Sequence, residues 1–84
     1  MDDRTLEIRR KVLWRLFRHH YIGGKHTSID NLRKGFAKSD YKAVDRVISD
    51  LIKDGFLLKK PTFYGLQVSL NPRKIQEIRQ IIES

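Results

Sequence analysis

Between residues 39 and 55 the apolar residues recur at helical spacing, and directly beyond Gly55 the pattern becomes that of a strand. Val44, Val47, Ile48, Leu51 and Ile52 keep the rhythm of a core-facing helical stripe. Ser39 is the expected N-cap, Asp40 suits the first turn, and Gly55 supplies a left-handed stop. The spacing predicts a helix over 40–54 whose outer face carries Lys42, Asp45, Arg46, Ser49, Asp50 and Lys53. Residues 56–60 form an apolar run with charged ends, and Leu66, Val68 and Leu70 alternate with Gln67 and Ser69. Two strands are therefore predicted, over 56–60 and 66–70, joined by a hairpin loop that begins at Pro61 and ends at Gly65. A long amphipathic helix that feeds straight into a hairpin leaves few ways to arrange the rest.

The remaining elements have their own punctuation. A first helix is predicted over 5–20, with Leu6, Val12, Leu13, Leu16 and Phe17 on one stripe and Ile8 and Trp14 at its edges. Arg4, Lys11, Arg15 and Arg18 lie on the other side. His19 and His20 close this helix, and Gly23-Gly24 ends it. Lys25-His26-Thr27 has room for a stub of strand. Thr27 or Ser28 then caps a short helix over 29–34, and Phe36 anchors the turn that follows. Asn71-Pro72 opens a last helix over 72–82, with Ile75, Ile78, Ile81 and Ile82 on one face.

Eighty-four residues allow one domain, and with no cysteine it must hold together by packing alone, as suits a reducing cytoplasm. No apolar run approaches the roughly 20 residues that cross a bilayer, and no signal-peptide core follows Met1-Asp2-Asp3-Arg4. A cytoplasmic protein without a membrane contact is expected. Eighteen Lys and Arg against ten Asp and Glu give a net charge of +8, which favours a polyanionic partner. No catalytic, cofactor or metal site is expected. Gly23-Gly24-Lys25-His26-Thr27 lacks the leading glycine and the Lys-Ser/Thr step of a phosphate loop. His19 and His20 point about 100° apart on a helix, with no cysteine or spaced carboxylate to join them.

The order helix, stub, helix, turn, helix, hairpin, helix matches a winged helix-turn-helix, in an α+β chain that is mostly α. Leu51-Ile52-Lys53-Asp54-Gly55-Phe56-Leu57 resembles the junction between recognition helix and wing in that family. The run Lys60-Pro61-Thr62-Phe63-Tyr64-Gly65-Leu66-Gln67-Val68-Ser69-Leu70-Asn71-Pro72, with Lys25-His26-Thr27 upstream, is similar to short archaeal winged-helix proteins of unassigned role. The resemblance spans about residues 6–80. It implies a three-helix core, a β-hairpin wing and an extra C-terminal helix. It also implies a basic DNA-binding protein, a transcriptional regulator for instance, whose third helix enters the major groove.

Carried onto this chain, the reading half of that helix presents Lys38, Ser39, Tyr41, Lys42, Asp45, Arg46 and Ser49. Arg46 could fork onto guanine O6 and N7, or pair with Asp50 four residues on. Lys38 and Lys42 suit phosphates, and Ser39 could donate to one. Asp45 either accepts from a cytosine amino group or repels the backbone. The wing offers Lys59, Lys60 and Thr62, with Phe63 and Tyr64 either touching nucleic acid or, for Tyr64 above all, folding back beside Leu66. C-terminal helices of the family often pair protomers, so Ile75, Ile78 and Ile82 are a candidate homodimer face. Double-stranded DNA is the expected partner, with RNA or a protein partner as the alternatives.

Overall fold

Asp2 starts the first helix, its carboxylate accepting the Thr5 N–H at 2.8 Å, a bond that holds the Asp2 carboxyl below its ordinary pKa. The computed structural model describes residues 2–84. Helix α1 runs Asp3–Arg18 and packs on α3 and α4 and on the sheet. Its buried arc holds Ile8, Val12, Leu13 and Leu16, while Leu6 is exposed. The arc is thus turned toward Ile8 and away from Leu6, because several elements rather than one clasp the helix.

The helix stops at Arg18, before the glycine pair. His20 takes φ 59°, and the N–H groups of His20 and Tyr21 donate to the carbonyls of Phe17 and Leu16 at 3.1 and 2.9 Å. That is a Schellman stop with histidine where glycine is usual. A side chain in the left-handed region is strained. His20→Gly is therefore expected to stabilise the fold by about 0.5–1 kcal/mol, read as a higher denaturant midpoint at unchanged slope.

Residues 21–23 then run beside the end of the third strand. The Leu70 N–H donates to the Tyr21 carbonyl at 2.8 Å, and the Gly23 N–H donates to the Leu70 carbonyl at 3.0 Å. Strand β1, Thr27–Ser28, begins only at the last residue of the stub predicted over Lys25-His26-Thr27. Ser28, not Thr27, caps α2 (Ile29–Arg33), accepting the Asn31 N–H at 3.1 Å. A single 3₁₀ turn, Lys38–Asp40, precedes α3 (Tyr41–Lys53). Ser39 therefore gives up the capping position to Asp40, whose carboxylate instead holds Arg4. Gly55, at φ 85°, ends α3 in a second Schellman arrangement, with the Phe56 N–H donating to the Leu51 carbonyl at 3.0 Å.

Strands β2 (Leu57–Thr62) and β3 (Gly65–Leu70) are longer than predicted, and only Phe63 and Tyr64 remain in the turn. The sheet is antiparallel in the order β1-β3-β2. Pro61 is tolerated because β2 is an edge strand, and Pro61, Lys59 and Lys60 together discourage pairing with another chain. Asn71 ties the hairpin base to the end of α3. Its side chain donates to the Gly55 carbonyl at 2.9 Å and accepts the Arg73 N–H at 3.1 Å. A 3₁₀ turn, Pro72–Lys74, leads into α4, Ile75–Glu83.

One core joins Val44, Val47, Ile48 and Leu51 of α3 to the buried residues of α1, to Leu32, and to Leu57, Val68 and Leu70 of the hairpin. It also takes Ile78, which is 0% exposed, and Ile82, at 8%. The isoleucine face read as a dimer surface is thus consumed within the chain. Ile78 and Ile82 are core residues, and Ile75 is half-buried against them. The sheet and α1 leave an apolar gap that α4 has to fill, so its stripe turns inward.

Candidate nucleic-acid interface

Packing Val44, Val47, Ile48 and Leu51 inward forces Lys42, Arg46, Ser49 and Lys53 outward, within an arc of about 60°. The row is about 16 Å long. All four side chains are exposed, and among the described residues none of the three cations takes part in an ion pair. The Arg46–Asp50 pair weighed from the sequence is not formed. Lys38 and Ser39 sit exposed on the 3₁₀ turn ahead of the row.

Asp45 is engaged across the turn between α2 and α3. Arg33 donates to both its carboxylate oxygens, Nε to Oδ1 at 2.9 Å and Nη2 to Oδ2 at 2.6 Å. The same guanidinium reaches Asp30 at 3.2 Å and lies 5.5 Å from the centre of the Tyr41 ring. The bonds to Asp45 raise the Arg33 pKa further above its ordinary value, against a smaller opposing cost of desolvation. A forked pair of this kind fixes both side chains. Asp45 and Tyr41 therefore both hold Arg33.

Across from α3, Lys59 of β2 borders an open groove with Asp45, Ser49 and Ile52, and with Ile29 and Leu66 as apolar floor. Lys60 does not join it. Lys59 lies opposite Val68 and Lys60 opposite Gln67, so the two lysines occupy opposite faces of the sheet. Thr62 is committed to the turn, its hydroxyl donating to the Gly65 carbonyl at 2.6 Å and accepting the Tyr64 N–H at 3.2 Å. The positive φ that the tight hairpin needs falls on Gly65, at 121°.

The tip itself projects into solvent. Phe63 is 97% exposed and Tyr64 94%, with ring centres 5.6 Å apart and planes at 83°. Tyr64 does not fold back onto the core, because the strands stay paired up to Thr62 and Gly65 and carry the turn past the last buried residue.

Sequence reasoning missed Arg33, which engages both carboxylate oxygens of Asp45. It also left out Lys53, whose place one turn beyond Ser49 on the same stripe was visible in the spacing. Among the described residues no group of three or more His, Asp or Glu side chains converges as a metal site would, and no helix is long and apolar enough to cross a membrane. Compared with protein families, characterised proteins and solved structures, the chain gives no match. What it does has to be argued from these side chains.

Proposed function

We propose that the chain is a winged-helix protein that binds duplex DNA, with α2 and α3 as its helix-turn-helix, α3 as the recognition helix and the β2–β3 hairpin as the wing. One observation carries the reading: an exposed row of cations, Lys42, Arg46 and Lys53, without ion pairs among the described residues, on a helix whose central acid, Asp45, is held by the fork of Arg33. Lys42 and Lys53 suit phosphates, and Arg46, near the middle of the row, has the fork that fits a guanine edge. Lys59 supplies a further phosphate contact from the hairpin, across a groove that Ser49 of the row borders. Lys38 supplies one from the start of the helix. A regulator of transcription in the cytoplasm is the role such a domain fills when its sites lie near promoters.

The test is a binding titration with random duplex at several salt concentrations. Three to five neutralised phosphates predict that log affinity falls against log salt with a slope of about −3 to −4.5. Absence of duplex binding at low salt would overturn the proposal. A second reading has its own observation, the bare aromatic tip at Phe63 and Tyr64, which suits a protein-contact module. In that case Phe63→Ala/Tyr64→Ala abolishes partner binding, and removing the α3 cations leaves it intact.

A further inference from the structure

A second basic surface lies on the other side of α1. Between α1 and the turn that follows α2 runs an open groove bordered by Lys11, Trp14, Arg15, Arg18, Lys34 and Phe36, with no carboxylate in its lining. The nearest acid along α1, Glu7, is bound to Lys11 at 3.1 Å and to Arg4 at 3.5 Å. Lys11 also lies 6.0 Å from the centre of the Phe36 ring, and Arg15 donates to the Asn31 side chain at 3.3 Å. Arg18 and Lys34 are exposed and, among the described residues, form no ion pair. Trp14, the only tryptophan in the chain, stands 46% exposed among these cations.

The groove faces away from α3. Thr5 borders the cleft against Lys42, Ala43 and Val47 of α3. Trp14 comes nine positions later, which on a helix is about half a turn round. A ligand held at Trp14 therefore leaves the α3 row free.

We propose that this groove is a second nucleic-acid site, and that it takes a single strand. Cations without a lining carboxylate select a polyanion. The half-exposed indole narrows the choice further. In an intact duplex the base faces are hidden in the stack, so a tryptophan on a helix surface gains nothing from them. A single strand exposes each base, and stacking on an aromatic face is the usual source of affinity for such strands. Trp14 receives a base, and Arg18 and Lys34 receive the flanking phosphates. The site stands independently of the α3 reading, and with both occupied the protein holds a duplex and a single strand at once.

Trp14 is also the reporter. Titration with a short oligothymidylate is expected to quench its emission, less strongly as salt rises. Arg18→Glu/Lys34→Glu, two surface changes, should weaken binding about 20-fold at 0.1 M salt. Lys42→Glu/Arg46→Glu should leave it within about twofold, since those residues lie on the other face. Trp14→Ala, followed by the anisotropy of a labelled strand, should weaken binding about fivefold or more. No quenching at low salt overturns the proposal. So does quenching that the α3 variant loses and the Arg18/Lys34 variant keeps. Equal quenching by polyglutamate overturns it as well, because that chain brings charge and no bases. Failure of duplex binding with oligothymidylate quenching intact would sink the α3 reading alone.

Discussion

The double substitution Lys42→Glu/Arg46→Glu is expected to lower duplex affinity about a hundredfold at 0.1 M salt. The size follows from counterion release and from one lost base contact. Each phosphate neutralised in B-DNA adds about 0.9 to the salt slope, which is about eightfold in affinity between 1 M and 0.1 M salt. Removing the Lys42 phosphate contact costs about eightfold, losing the Arg46 fork on a guanine edge costs about tenfold more, and two new negative charges facing the backbone extend the loss. The slope itself should flatten by about 1. Both side chains are exposed and, among the described residues, free of ion pairs, so the fold has no stake in them. An internal control comes from the β2–β3 hairpin, where Lys59 and Lys60 have equal charge and opposite faces. Lys59→Glu should weaken binding severalfold and Lys60→Glu much less. Equal losses from the two would mean that net charge, and not position on one face of the hairpin, governs binding.

How far the sequence could be read depended on the range of the interaction concerned. The helix stripes, the Gly55 stop, the Ser28 and Asn71 caps and the strand alternation are local rules, and each was visible within a few residues. Boundaries shifted where a local signal had a competitor. Gly23-Gly24 reads as the end of α1, but His20 already makes the turn because its own N–H reaches the Phe17 carbonyl and that of Tyr21 reaches Leu16. Ser39 reads as a cap, but the 3₁₀ turn carries it out of position. The pairing of Arg33 with Asp45 was beyond such rules, since it joins residues twelve apart through the angle between α2 and α3. That single contact ties Asp45 into the scaffold between α2 and α3. The opposite orientation of Lys59 and Lys60, by contrast, follows from strand periodicity alone. Grouping them as one contact overlooked a rule already in use.

Ile78→Ala is expected to cost about 3–4 kcal/mol of folding stability, the usual range for a large aliphatic residue truncated in a core. Ile78 is 0% exposed and belongs to the cluster with Ile8, Leu16 and Leu70. A chain of this size has about 4–12 kcal/mol in all, so the variant should melt about 15–25 °C lower and could be unfolded at 37 °C. The same substitution separates a core residue from a dimer contact. If α4 paired two protomers, wild-type stability would rise with protein concentration, and Ile78→Ala would remove that dependence. If α4 completes the core of one chain, both proteins melt at concentrations about fiftyfold apart with unchanged midpoints, and the loss stays the same. The structure favours the second outcome on area. With Ile78 and Ile82 buried, the isoleucines of α4 that retain substantial exposure are Ile75 and Ile81, both half-buried. Two partly covered side chains fall far short of the roughly 800 Å² per partner that a stable interface buries. A concentration-dependent wild-type midpoint would therefore require a surface other than this one, and the Phe63–Tyr64 tip is the next place to look.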